Sequence, residues 1–99
     1  MKTRKITWDR QALHYFRDAI RYIRQDSPQN ADKVKKEVLE KINELSKRPE
    51  IYNPDKYKIN NNGNYRAFEL HRLRVGYLVK ETEIIIARVR NTNQEPLDY

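Results

Sequence analysis

The chain has 99 residues, the length of one domain, and its 21 Lys and Arg residues against 14 Asp and Glu residues give a net charge of +7. Only 37% of the residues are hydrophobic, so any core must be single and small. The absence of cysteine excludes a disulfide scaffold, a thiolate zinc site and a cysteine nucleophile. No apolar run approaches the length of a membrane span or a signal peptide. We therefore expect one basic cytoplasmic domain over residues 1–99, with a polyanionic partner such as nucleic acid or an acidic protein.

The N-terminal half predicts a short strand followed by two helices. Ile6–Trp8 are β-branched and aromatic, as in a strand. Ser27 and Pro28 supply an N-cap and a proline at the first position of a helix, so a first helix should end near Asp26 and a second should begin there. The second helix should end by Arg48, which precedes a proline. Apolar residues recur at helical spacing in both stretches: Leu13, Phe16, Ile20 and Ile23, then Ala31, Val34, Val38, Ile42 and Leu45.

The C-terminal half predicts a sheet. Residues 49–64 are rich in proline and asparagine and indicate a loop, with a short edge strand at Tyr57–Ile59. Three strands follow, at Tyr65–Leu70, Leu73–Val79 and Glu83–Arg90. Their connections suit hairpins and are too short for parallel crossovers. The predicted fold class is α+β, with an N-terminal short strand and a helical hairpin packed on a three- to four-stranded antiparallel sheet.

Alternation along the three strands assigns their residues to two faces. The face expected to pack under the helices carries Phe68, Leu70, Val75, Tyr77, Val79, Ile85, Ala87 and Val89. The opposite face carries Ala67, Glu69, Arg74, Gly76, Leu78, Ile84, Ile86, Arg88 and Arg90. Aliphatic residues mixed with three arginines are unusual on a solvated face, so a partner is expected to cover it. The arginines repel one another unless an anion or an acidic partner arrives, or unless Asp98 or Glu95 of the tail neutralises them.

One pattern of residues spans nearly the whole chain. After the helical hairpin come NYRAFELHRLRVGYLV (64–79) and EIIIARVRNTNQEP (83–96). Their most specific positions are Tyr65-Arg66 with Phe68, Arg74-Val75 with Tyr77, and Arg88-Val89. From Ile6 to Pro96 the sequence resembles the RelE/ParE superfamily of bacterial type II toxins, also called plasmid stabilisation proteins. The resemblance implies a helical hairpin on a sheet with an open concave face, and a growth-inhibiting toxin that a small acidic antitoxin, encoded beside it, holds inactive.

The superfamily contains two activities: RelE-like members cut mRNA on the ribosome, and ParE-like members bind DNA gyrase without cutting. By position, Arg74 matches the arginine that contacts the scissile phosphate in RelE-like members. The two lysines that such members carry on the preceding strand fall at Ala67 and Glu69, and the arginine that serves as the acid falls near Asn91 or Thr92. This lysine-poor face argues against cleavage of the RelE type.

Three functions remain open at this point. The resemblance favours a toxin that binds DNA gyrase through Arg74, Arg88 and Arg90. The alternative is a ribosome-dependent mRNA endonuclease, in which these arginines bind phosphate and Glu69 or Tyr99 acts as the base. The third is an inactive relative that only binds its partner. We expect no cofactor, metal, membrane or small-molecule substrate for any of them, and whether the chain is an enzyme stays undecided.

Overall fold

The computed structural model describes residues 3–94 and 97–99. Its elements follow in the order β1 (Lys5–Trp8), α1 (Arg10–Asp26), α2 (Pro28–Leu45), β2 (Tyr65–Leu70), β3 (Leu73–Val79) and β4 (Glu83–Asn91). The strands described form one sheet in the order β1-β4-β3-β2, and the helical hairpin packs on it around a shared core. The predicted α+β fold is confirmed.

The first helix ends and the second begins where Ser27 and Pro28 predict. The carboxylate of Asp9 accepts hydrogen bonds of 3.0 and 3.2 Å from two main-chain N–H groups in the first turn of α1. Ser27 serves both helices: its N–H donates to the carbonyl of Ile23 at 2.9 Å, and its hydroxyl accepts from the N–H of Asn30 at 3.1 Å. Pro28 occupies the first position of α2, where a missing N–H costs nothing. Neither helix is long and apolar enough to cross a membrane in the part of the chain described.

Two details of the connection between α2 and β2 differ from the prediction. The helix α2 ends at Leu45 rather than Arg48, because the chain tightens there into turns. The strand predicted at Tyr57–Ile59 is wrong, since these residues form turns instead. The carboxylate of Asp55 accepts a hydrogen bond of 3.1 Å from the N–H of Tyr57, which stabilises a turn at the expense of an extended strand.

The sheet is mixed rather than wholly antiparallel. The β2–β3 and β3–β4 pairs are antiparallel, as their short connections predict. The strand β1 instead joins β4 in parallel, with Ile6 opposite Ile84. Parallel pairing requires a long crossover, which α1, α2 and the two intervening strands supply.

A β-bulge in β4 corrects the predicted assignment of faces. The neighbouring residues Gly76 and Tyr77 of β3 pair with Arg88 and Ile86. This leaves Ala87, between those two, without a partner. One extra residue reverses the alternation of side chains on its N-terminal side. The prediction of Ile85 and Ala87 as core residues is therefore wrong. Ile84 and Ile86, which were expected on the opposite face, are fully buried in the core.

Elsewhere the core follows the periodicity of the sequence. Its other buried members are Ala12, Phe16, Ile20, Ala31, Val34, Val38, Ile42, Leu45, Phe68, Leu73, Val75, Tyr77 and Val89. The hydroxyl of Tyr77 donates a hydrogen bond of 2.8 Å to the carbonyl of Pro49, so its burial leaves no polar atom unsatisfied. The face of the sheet turned away from this core is left for the site described next.

Candidate functional site

The outer face of the sheet forms a cleft of about 240 Å³ against the loop that precedes β2 and the C-terminal tail. Arg74, Arg88 and Arg90 all line this cleft. In the β3–β4 pair Arg74 lies opposite Arg90, and Gly76 lies opposite Arg88. The structure therefore brings the three predicted arginines together at one place. We call this place the arginine cleft.

Arg74 is neutralised within the protein. Its Nη2 lies 2.9 Å from Oδ1 of Asp55, and its Nη1 lies 2.8 Å from Oε2 of Glu69. Burial by itself lowers the pKa of Arg74, but the hydrogen bonds to these two carboxylates outweigh it and raise the pKa above its ordinary value. Two carboxylates hold one guanidinium, so little of its charge remains for a partner.

Asp55 organises this side of the cleft, and the sequence analysis missed it. Its carboxylate is buried and accepts a 2.6 Å hydrogen bond from the hydroxyl of Tyr99 as well as the bond from Arg74. Burial raises the pKa of Asp55, but the hydrogen bonds from Tyr99 and Arg74 overcome this and leave the pKa below its ordinary value. A signal was present in the sequence, because Pro-Asp in an asparagine-rich loop favours a turn in which the aspartate side chain accepts a hydrogen bond from the backbone.

Asp98 does not supply the neutralising acid that the sequence analysis expected from the tail. In the described part of the chain Asp98 forms no ion pair with the three arginines. Glu95 lies outside the described residues. A loop residue and a residue of β2 take this role instead, because the β2–β3 register places Glu69 directly opposite Arg74.

Arg88 and Arg90 have no carboxylate partner among residues 3–94 and 97–99. The Nη1 of Arg88 donates to the main-chain carbonyl of Leu97, and its guanidinium lies 4.4 Å from the centre of the Tyr99 ring. Arg90 lies 5.2 Å from the centre of the Tyr15 ring. Burial, and then the charge of Arg90, lower the pKa of Arg88. Aromatic rings therefore position both guanidinium groups, and no carboxylate of the described residues forms an ion pair with them.

Both candidate bases make hydrogen bonds within the cleft. The hydroxyl of Tyr99 is a donor to Asp55, and burial followed by that bond raises the pKa of Tyr99 above its ordinary value. Glu69 accepts the hydrogen bond from Arg74, which holds it as an ion-pair partner. The predicted pair of residues thus lies at the cleft, but both members are engaged in its internal network.

The two histidines do not line the arginine cleft. His14 lies 3.1 Å from Asp18 on α1, and His71, in the turn between β2 and β3, lies 2.5 Å from Glu37 on α2. The hydrogen bond from His71 lowers the pKa of Glu37 below its ordinary value. Among the described residues no group of three or more potential ligands could hold a metal ion.

A helical hairpin packed on a four-stranded sheet, with a basic cleft on the uncovered face, is consistent with the fold of the RelE/ParE toxin class. Residues 6–96 match the family described as ParE toxin of type II toxin-antitoxin system, parDE. Because this match covers nearly all of the sequence, the chain belongs to the ParE toxin family. It is the toxin component of such a system, and ParE toxins pair with a cognate antitoxin. A comparison with curated proteins finds no match.

Proposed function

We propose that this ParE toxin inhibits growth by binding DNA gyrase, and that the arginine cleft is the surface that binds it. The observation that carries the proposal is that the three arginines differ in whether a carboxylate of the chain pairs with them. Arg74 is neutralised by carboxylates of the chain itself, whereas Arg88 and Arg90 keep their charge without such a partner among the described residues. A protein target that presents an acidic group would complete the cleft.

The chemistry of the cleft supports binding over cleavage of RNA. Cleavage by the 2′-hydroxyl of RNA needs a base for that hydroxyl, cations around the phosphorane and an acid for the leaving oxygen. Glu69 is held by Arg74, and Tyr99 keeps its proton in a bond to Asp55. Ala67 stands where the RelE-like pattern has a lysine. The cleft therefore offers positive charge, while both candidate bases are engaged in hydrogen bonds of the chain itself.

The net charge of the cleft also favours a protein target. Three arginines face the carboxylates of Asp55 and Glu69, which leaves a single net positive charge among the lining residues. Binding of a nucleic-acid strand is carried by several Lys and Arg contacts to phosphates, and carboxylates in the same place repel those phosphates. A single acidic side chain on a protein surface matches this charge better.

Two assays test the proposal, one on the purified protein and one on cells that express it. Purified toxin should inhibit supercoiling by DNA gyrase, and equimolar antitoxin should relieve the inhibition. Primer extension on transcripts after induction should show no new 5′ ends inside reading frames. Normal supercoiling at saturating toxin contradicts the proposal, and new 5′ ends would identify a ribosome-dependent endonuclease instead. Normal growth during expression without antitoxin would identify an inactive relative.

A further inference from the structure

The segment Leu97–Tyr99 lies along the arginine cleft in the manner of a bound peptide. The N–H of Tyr99 donates a hydrogen bond of 2.9 Å to the carbonyl of Tyr57, and the N–H of Ile59 donates one of 2.6 Å to the main-chain oxygen of Tyr99. Arg88 adds a hydrogen bond to the carbonyl of Leu97. Main-chain bonds of this kind are how extended peptides are aligned on a protein surface.

The side chain of Tyr99 fills a pocket that matches a phenol. The guanidinium of Arg88 lies 4.4 Å from the centre of its ring, and the ring of Tyr65 meets it edge-on, with centroids 6.2 Å apart and an interplanar angle of 87°. The hydroxyl donates to the buried carboxylate of Asp55 at 2.6 Å. The pocket thus contacts the face, the edge and the hydroxyl of the ring separately.

Gly76 makes room for the hydroxyl at the base of this pocket. A Cβ atom at this position would lie 2.5 Å from Oη of Tyr99 and 3.1 Å from Oδ2 of Asp55. Any other residue would therefore displace the phenol or the carboxylate that receives its hydrogen bond. By contrast, a Cβ at Gly63 would meet nothing within 4 Å, so the close approach is specific to Gly76.

We propose that the arginine cleft is a peptide-binding site with a pocket for a tyrosyl side chain. Leu97–Tyr99 of the chain itself forms one wall of the cleft and places its tyrosyl ring in the pocket, and an extended tyrosine-bearing segment of a partner protein can take its place. A tethered segment has an effective concentration on the order of millimolar, so a partner must contribute contacts beyond the pocket to displace it. This inference does not depend on gyrase being the target, and it can fail or succeed separately.

The test uses the full-length Tyr99→Ala variant, which empties the pocket, and p-cresol as the probe of a tyrosyl side chain. Titration followed by the amide NMR signals of Gly76 and Tyr65 should show saturable binding. Toluene has the same ring and methyl group but lacks the hydroxyl, so it should bind at least about tenfold more weakly, the effect expected when a hydrogen bond to a charged carboxylate is lost. The wild-type chain, whose pocket is filled, should show no shift at the same concentrations.

The double variant Tyr99→Ala/Gly76→Ala is the matched control. Its added Cβ would lie 2.5 Å from the position of the phenol oxygen, too close for contact, so it should lose binding of p-cresol while its spectrum remains dispersed. Absence of p-cresol binding to Tyr99→Ala, equal binding of toluene, or equal binding to the wild-type chain would overturn the inference. A second test needs no cavity: in Tyr99→Phe the amide of Ile59 should exchange faster with solvent, and an unchanged rate contradicts the proposed pocket.

Discussion

Asp55 holds Arg74 at 2.9 Å through a carboxylate that is only 3% exposed. The same carboxylate accepts the hydroxyl proton of Tyr99 in a hydrogen bond, so a single buried group joins the loop, the sheet and the tail. Because this pair uses the charge of Arg74 internally, the cleft cations without a carboxylate partner in the described chain are Arg88 and Arg90. The arginine cleft is therefore arranged by a residue outside the strands that form its base.

Asp55→Asn should lower the free energy of unfolding by roughly 2 kcal/mol, because the charge-assisted hydrogen bond to Arg74 is lost in a buried setting. Urea denaturation followed by circular dichroism measures this change. Asp98→Asn is the control, since it removes an equal charge at an exposed position and should stay within about 0.5 kcal/mol of wild type. Equal stability of the two variants would show that Asp55 does not organise the cleft.

The pH dependence of stability should carry the same signature. The pKa of Asp55 is lower in the folded chain than in the unfolded chain, so its contribution is complete above the unfolded pKa of about 4. It is lost as the pH falls from there through the folded pKa. Wild type should therefore lose more stability than Asp55→Asn between pH 6 and pH 3 in urea denaturation. Parallel curves for the two proteins would contradict the depressed pKa.

Gly76→Ala should destabilise the protein by about 1–3 kcal/mol, the usual cost of forcing atoms into a filled site. Its Cβ would lie 2.5 Å from the hydroxyl of Tyr99. In a Tyr99→Ala background the same substitution should cost much less, because the obstructing atom is gone. A double-mutant cycle measures the difference. An equal cost in both backgrounds would mean that the glycine is needed for another reason.

The bulge in β4 predicts opposite outcomes for two neighbouring isoleucines. Ile86→Ala removes a fully buried side chain and should cost about 2–5 kcal/mol, whereas Ile85→Ala should cost about 1 kcal/mol, since Ile85 is partly exposed. Denaturation of the two variants under identical conditions decides between the faces. If Ile85→Ala were the more destabilising of the two, the strand would alternate without a bulge, as expected from the sequence.

The sequence predicts what local rules determine and misses what distant contacts determine. The cap at Ser27, the helical stripes and the hairpin strands follow from spacing and turn chemistry, so their positions are correct. The bulge at Ala87 leaves no local sign, because isoleucines stand on both faces N-terminal to it and make the two alternations equally apolar. Strict alternation along the strand therefore assigns Ile85 to the core in place of Ile86.

In the cleft, too, the features set by local rules are predicted and those set by distant contacts are missed. The convergence of the three arginines follows from strand parity, because Arg88 and Arg90 lie on the C-terminal side of the bulge and keep their predicted face. The ion pair between Asp55 and Arg74 joins a loop to a strand and has no periodicity to reveal it. The parallel pairing of β1 is likewise a contact between distant parts of the chain.

Inhibition of purified DNA gyrase by charge-matched variants tests the central claim most directly. Arg88→Ala/Arg90→Ala removes the two cleft cations without a carboxylate partner in the described chain, and leaves the Arg74 network in place. Arg10→Ala/Arg17→Ala removes the same charge from exposed positions of α1 that do not line the cleft. The comparison therefore separates the cleft from the general positive charge of the protein.

The account predicts that wild type and Arg10→Ala/Arg17→Ala inhibit supercoiling at similar concentrations. Arg88→Ala/Arg90→Ala should need at least about tenfold more protein, the loss expected when two charged contacts are removed from an interface. Circular dichroism should show that all three proteins are folded. Inhibition by Arg88→Ala/Arg90→Ala at the wild-type concentration would contradict the claim that the arginine cleft binds the target.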